Sequence, residues 1–105
     1  MINLLQETLD MIEYSDHATR DVAFVCCGGE CCTWKSFSML IDFEYDDGPG
    51  EVKINHKLKI LFKDDSWLER YFDPDGSEGW DFKKRPVRDG LIKGKTITIF
   101  EDPTS

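Results

Sequence analysis

The chain has 105 residues, of which 40% are hydrophobic and 12% aromatic, so it can form one domain with a single core. Its formal net charge is -8, from 13 basic and 21 acidic residues. Nucleic acids and anionic membranes repel such a chain, so neither is expected as a direct partner. No apolar run reaches the roughly 20 residues of a membrane helix, and no secretory signal is evident. We therefore expect a cytoplasmic protein with reduced cysteines.

The N-terminal segment predicts a helix over residues 2–14. Apolar side chains recur there at the spacing of one helix face, at Ile2, Leu5, Leu9 and Ile12. Residues 15–17 end this helix. The apolar run over residues 21–27 then predicts a strand, which Gly28-Gly29 ends.

Residues 33–41 fit two patterns. Trp34, Phe37 and Ile41 suit a helix with Thr33 as its N-cap, whereas alternate residues of the same segment suit a strand. We favour the short helix. The composition of residues 46–50 predicts a loop.

Three strands are predicted in the second half, over residues 57–63, 67–72 and 79–83. The first shows clean alternation, and the last two flank Asp73-Pro74-Asp75-Gly76. Proline presets φ for a turn and glycine can adopt the left-handed conformation, so a bulged hairpin is predicted. In this hairpin Trp67 and Trp80 are expected to lie opposite each other and to pack in the core.

A last strand is predicted over residues 95–100, followed by a disordered tail over about 102–105. The expected fold is a single α+β domain over residues 1–105. It has an antiparallel meander sheet of about five short strands, with one or two helices on one face.

Four cysteines flank a glycine pair, at Cys26, Cys27, Cys31 and Cys32. Thiolates from both ends of a tight loop can hold a metal ion, although adjacent cysteines of a strand project to opposite faces. The alternatives are a disulfide joining Cys26 or Cys27 to Cys31 or Cys32, and a redox thiol at the start of the second helix. The simplest interpretation is four reduced thiols and no cofactor.

No catalytic signature is present. The sequence has no nucleophile elbow, phosphate-binding loop or dinucleotide fingerprint, and its two histidines have no informative spacing. We therefore expect a protein that is not an enzyme.

Three segments resemble a group of small uncharacterised proteins encoded by bacteriophages and prophages, chiefly of gut bacteria. DFEYDDG at 42–48, SWLER at 66–70 and DGSEGWDFK at 75–83 are similar to the group's DFEYDSG, WLER and EYDGSEWWEFK. The resemblance covers about residues 33–86 and implies a short helix before Asp42. The chain departs from the pattern at residues 72–74, at Gly79 and in its cysteine cluster.

These observations lead to the hypothesis of a phage or prophage accessory protein that binds a host protein with a basic surface. Acidic side chains would occupy the positions that phosphates take on the basic groove of the host protein. The most specific form of the hypothesis is therefore an inhibitor of a nucleic-acid-binding host or defence factor. The predicted contact residues are Glu44, Asp46, Asp47, Glu69, Tyr71, Glu78, Trp80 and Asp81. The alternatives are a metal- or redox-responsive module and a homodimer that pairs its 95–100 strands.

Overall fold

The computed structural model describes residues 1–46 and 54–86. Two α-helices, one short 3-10 helix (Thr19–Asp21) and seven strands occur in these ranges. The α-helices and strands are β1 (Ile2–Asn3), α1 (Leu4–Tyr14), β2 (Val22–Cys27), β3 (Glu30–Cys32), α2 (Trp34–Leu40), β4 (Glu44–Tyr45), β5 (Leu58–Phe62), β6 (Trp67–Phe72) and β7 (Glu78–Lys83). The strand predicted over 95–100, the homodimer built on it, the tail and residues 47–50 of the predicted loop lie outside the described residues.

The strands form a five-stranded antiparallel sheet in the order β3-β2-β5-β6-β7 and a separate pair, β1-β4. The predicted α+β class is confirmed, as is the meander of β5, β6 and β7. One strand of this sheet was not expected. Residues 30–32 pair with β2 across the two-residue turn at Gly28-Gly29, so the glycines join two strands of a hairpin.

Both predicted helices are confirmed: the first begins at Leu4, two residues later than predicted, and the second begins directly after its predicted cap, Thr33. Ile2 and Asn3 pair with β4, so α1 begins only at Leu4. The Asn3 side chain caps α1 by accepting a hydrogen bond from the Gln6 amide at 2.9 Å. Thr33 caps α2 in the same way, accepting from the Ser36 amide at 3.1 Å. Neither helix, within the part of the chain described, is long and apolar enough to cross a membrane.

The hairpin of β6 and β7 has the predicted turn. The Gly76 amide donates to the Asp73 carbonyl at 2.8 Å, and Gly76 has a φ of 93°. The predicted register is wrong, however, because Trp67 lies opposite Lys83 and Trp80 lies opposite Arg70. Side chains alternate between the faces of a strand, and in this register the two tryptophans point to opposite faces.

The core lies between one face of the sheet and the two helices, to which α1 contributes Leu4 and Ile12 and α2 contributes Phe37. Val25, Ile60 and Leu68 form a fully buried row across the central strands. The indole N–H of Trp80 donates to the Thr8 hydroxyl at 3.0 Å, which attaches α1 to β7. This attachment positions one face of α1 beside the β7 edge of the sheet, where the candidate site lies.

Candidate functional site

An open groove of about 700 Å³ runs between α1 and the paired ends of β6 and β7. Its described lining contains three carboxylates, three aromatic rings and no lysine or arginine. The lining residues are Ile2, Asn3, Gln6, Glu7, Asp10, Met11, Tyr14, Tyr71, Glu78, Gly79 and Trp80. The groove is therefore both acidic and aromatic, a combination suited to a cationic group.

A buried ionic cluster lies beneath the groove. The Arg70 guanidinium donates to the Glu7 carboxylate at 2.9 Å and to the Tyr45 hydroxyl at 3.1 Å, and its Nη2 lies 3.4 Å from the Glu78 carboxylate. Tyr45 in turn donates to Glu7 at 2.7 Å. The Arg70 side chain is only 1% exposed and that of Glu7 is 19% exposed, so the cluster connects α1, β4, β6 and β7 with its cation shielded from water.

The cluster keeps a fixed protonation pattern. Burial acts to lower the pKa of Arg70, but its hydrogen bonds with Tyr45 and Glu7 outweigh this effect and raise the pKa. Burial raises the pKa of Tyr45 to about 12, although the hydrogen bond from Arg70 opposes the rise. A charged guanidinium and a neutral phenol therefore persist through the physiological pH range.

Aromatic rings hold the guanidinium from two sides. The centre of its charge lies 5.1 Å from the centroid of the Trp80 ring and 5.7 Å from that of Tyr45, distances typical of cation–π contacts. The Nε atom of Arg70 is buried with no hydrogen-bond partner in the described ranges 1–46 and 54–86. Contacts with the Trp80 and Tyr45 rings thus take the place of a hydrogen bond from the Arg70 Nε atom.

Tyr71 forms one wall of the groove because its neighbour across the hairpin is a glycine. A Cβ atom at Gly79 would lie 3.0 Å from the Tyr71 hydroxyl oxygen, which is tighter than most side-chain contacts and would require the ring to shift. With no side chain at Gly79, the ring lies across β7 and reaches the groove. Tyr71 is 41% exposed, and Tyr14 on the opposite rim is 83% exposed, so both rings are open to a partner.

Three of the predicted contact residues line the groove, namely Tyr71, Glu78 and Trp80. Glu78 and Trp80 are buried, at 6% and 7% exposure. The prediction that Trp80 packs in the core is confirmed, and the alternative prediction that it is an exposed contact residue is wrong. The register places its ring on the face that α1 covers, so Trp80 shapes the floor while Tyr71 is accessible.

The other predicted contact residues are dispersed. Glu69 lies on the opposite face of the sheet, where it accepts a hydrogen bond from the Trp67 indole at 3.0 Å, and Asp81 on that face pairs with Lys83 at 3.1 Å. Glu44 and Asp46 are exposed in and after β4. Asp47 lies outside the described residues. The structure does not bring these carboxylates and Trp80 together on one surface.

Helix α1 supplies groove residues that the sequence did not indicate. Glu7, Asp10 and Tyr14 are spaced by three and four residues and so share one helix face. That spacing was a usable signal for a common surface. Its position beside β7 could not be read from the pattern, because the packing partner is more than 60 residues away in the chain.

The four cysteines are free and divide between the two faces of the β2-β3 hairpin. Cys27 and Cys32 pack against the core, whereas Cys26 lies opposite the exposed Lys59 on the other face. Among residues 1–46 and 54–86, no three side chains of histidine, cysteine, aspartate or glutamate are grouped to hold a metal ion. A site that uses all four thiols is not assembled here.

Comparisons of the chain with models of known protein families, with curated proteins and with solved structures found no match. The functional conclusion therefore depends on the geometry and charge of the groove.

Proposed function

We propose that this protein is a non-enzymatic binding module whose groove receives a basic side chain of a partner protein. The observation that carries the proposal is the lining of the groove, which combines Glu7, Asp10 and Glu78 with aromatic rings and has no basic residue in its described part. A lysine or arginine of a partner would find there both a carboxylate and ring faces, each of which favours a cation.

The mouth and the floor of the groove have different parts in this proposal. Arg70 lies beneath the floor, where Glu7 and Glu78 compensate its charge. An incoming cation would therefore stay at the mouth, between Tyr14 and Tyr71 and beside the exposed Asp10. A contact of this kind contributes about 0.5–2 kcal/mol per ring, so it anchors a larger interface and does not suffice by itself.

The net charge of -8 supports a partner with a basic surface, because a field of this sign accelerates association with such a surface. The resemblance to phage and prophage proteins supports a host protein as that partner. In the sharpest form of the proposal, the protein inhibits a nucleic-acid-binding host or defence factor by occupying its phosphate-binding groove. Exposed Glu44 and Asp46 would then extend the acidic surface beyond the groove.

The test uses a short arginine-rich peptide and the tryptophan fluorescence of the protein, to which Trp80 in the groove contributes together with Trp34 and Trp67. Asp10→Asn and Tyr71→Ala should each weaken binding about fivefold, which corresponds to about 1 kcal/mol. Glu30→Gln is the matched control, since it removes an exposed acid of β3 that is not among the groove residues. Binding by the wild type should also weaken as salt rises.

Equal affinities of the Asp10→Asn, Tyr71→Ala and control variants would reject the groove as the binding site, and a salt-insensitive affinity would reject its electrostatic basis. A Trp80→Ala variant cannot serve in this experiment. It removes a buried ring and its hydrogen bond to Thr8, a change that typically costs about 3–5 kcal/mol of stability.

A further inference from the structure

The β2-β3 hairpin places two of the four cysteines directly opposite each other. Cys27 pairs with Glu30 next to the turn, and Cys26 pairs with Cys31. Around a two-residue turn the first pair is hydrogen-bonded, so the next pair is not. The Cα atoms of a non-hydrogen-bonded pair are about 4.5 Å apart, which lies within the range of about 4.4–6.8 Å that a disulfide spans.

Cys26 and Cys31 also share the hairpin face that points away from the core. Cys31 is exposed and Cys26 is half-buried, on the sheet face opposite the core. Cys27 and Cys32 pack against the core on the other face and are not directly opposite each other. The first pair therefore contains the one exposed thiol of the four and lies on the face away from the core, whereas both thiols of the second pair are partly buried against the core.

A basic cleft of about 390 Å³ adjoins Cys26. It is lined by Cys26, Gly28, His56, Lys57, Lys59 and Glu69, with the two lysines supplying its positive charge. Burial raises the pKa of the Cys26 thiol and the neighbouring Cys31 adds to the rise, while Lys59 opposes it. Lys59 is therefore the group that favours the reactive thiolate of Cys26.

We propose that Cys26 and Cys31 form a reversible redox pair, which an anionic low-molecular-mass disulfide such as oxidised glutathione converts to a cross-strand disulfide. The Cys26 thiolate attacks one sulfur of the reagent and displaces the other as a thiolate, which leaves a mixed disulfide on Cys26. The Cys31 thiolate then attacks the Cys26 sulfur and displaces the second reagent thiolate. Two protein thiols are oxidised, one reagent disulfide is reduced, and the thiol protons pass through solvent to the released thiolates.

The first test treats the reduced protein with oxidised glutathione and maps the product by mass spectrometry of its peptides. The expected product is one intramolecular disulfide between Cys26 and Cys31. The Cys27→Ser/Cys32→Ser double variant is the matched control and should form it at the wild-type rate. Cys31→Ser should instead accumulate one glutathione on Cys26. The proposal would be overturned if the new disulfide included Cys27 or Cys32. It would also be overturned if the Cys31→Ser variant carried its glutathione on a cysteine other than Cys26.

The second test examines the charge of the reagent. Oxidised glutathione should react several-fold faster than cystamine, a cationic disulfide, because Lys57 and Lys59 attract the anion. In the Lys57→Gln/Lys59→Gln variant this preference should disappear. Equal rates of the two reagents with the wild-type protein would refute the role of the basic cleft, and a preference retained by the double variant would do the same.

Discussion

At the scale of single residues, Arg70 joins side chains from α1, β4 and β7. Its side chain is only 1% exposed and contacts two carboxylates, one hydroxyl and two rings. Sequence reasoning could not predict this position, because an arginine in an alternating strand is normally exposed. Its burial depends on partners from α1 and β4, which are distant along the chain.

Arg70→Ala should lower the free energy of unfolding by about 3–5 kcal/mol, because it leaves the carboxylates of Glu7 and Glu78 without their shared cation. Urea denaturation measures the change. Lys83→Ala is the matched control, since its ion pair with Asp81 is about half exposed and should contribute at most about 1 kcal/mol. Similar losses of unfolding free energy in the two variants would show that the buried cluster stabilises the fold no more than an exposed ion pair does.

A second residue-scale contact joins the end of α1 to the turn between β5 and β6. The His17 ring stacks on Phe62 with centroids 3.9 Å apart, and its Nε2 lies 2.8 Å from an Asp64 carboxylate oxygen. Hydrogen bonds from Ser66 and then from His17 lower the pKa of Asp64 to about 2 from its ordinary value of 3.8. The folded state therefore favours the ionised carboxylate.

From this shift we predict a pH-dependent effect of Asp64→Asn. A depressed pKa contributes stability above the unfolded value of 3.8 and loses it as the pH falls to about 2. The wild type should thus be more stable than the variant at neutral pH, and the difference should shrink between about pH 4 and pH 2. Thermal unfolding at a series of pH values measures it. Asp65→Asn, in an exposed pair with Arg85, should change stability little. A difference that stays constant with pH would contradict the prediction.

At the scale of elements, the β6-β7 hairpin shows what local sequence determines. Its first strand was predicted with the observed bounds, because alternation and turn residues act within a few positions of each other. The register was missed although the turn was predicted correctly. Pairing outward from a turn at Asp73–Gly76 puts Phe72 opposite Glu78, and counting back along both strands puts Trp67 opposite Lys83, three residues beyond Trp80. The β2-β3 hairpin was missed although its Gly28-Gly29 pair is a turn signal.

Gly76 and Gly29 provide a matched pair of substitutions. Gly76→Ala should cost about 1–2 kcal/mol, because Gly76 has a φ of 93° and a side chain is strained in that conformation. Gly29→Ala should have little effect, since Gly29 lacks a positive φ and nothing lies within 4 Å of the added carbon. Denaturant unfolding of both variants tests this comparison. Equal stabilities would indicate that the turn between β6 and β7 adapts to alanine.

At the scale of the whole molecule, the site depends on contacts that no local pattern encodes. The groove exists because Thr8 and Trp80, 72 residues apart, hold α1 against β7. Sequence reasoning identified the acidic and aromatic character of the chain and three of the lining residues. It could not assign the carboxylates to faces of the sheet, because the face depends on the register, nor identify α1 as the second wall.

The order of strands in the sheet has a consequence for folding. β5, β6 and β7 are joined by short turns, whereas β2 and its neighbour β5 are separated by residues 28–57. Closing the longer loop costs more chain entropy, so we expect the meander to form first and the cysteine hairpin to dock later. In native-state hydrogen exchange, backbone amides of β2 should then open at a lower free energy than those of β6. Simultaneous opening of both strands would indicate a single cooperative unit.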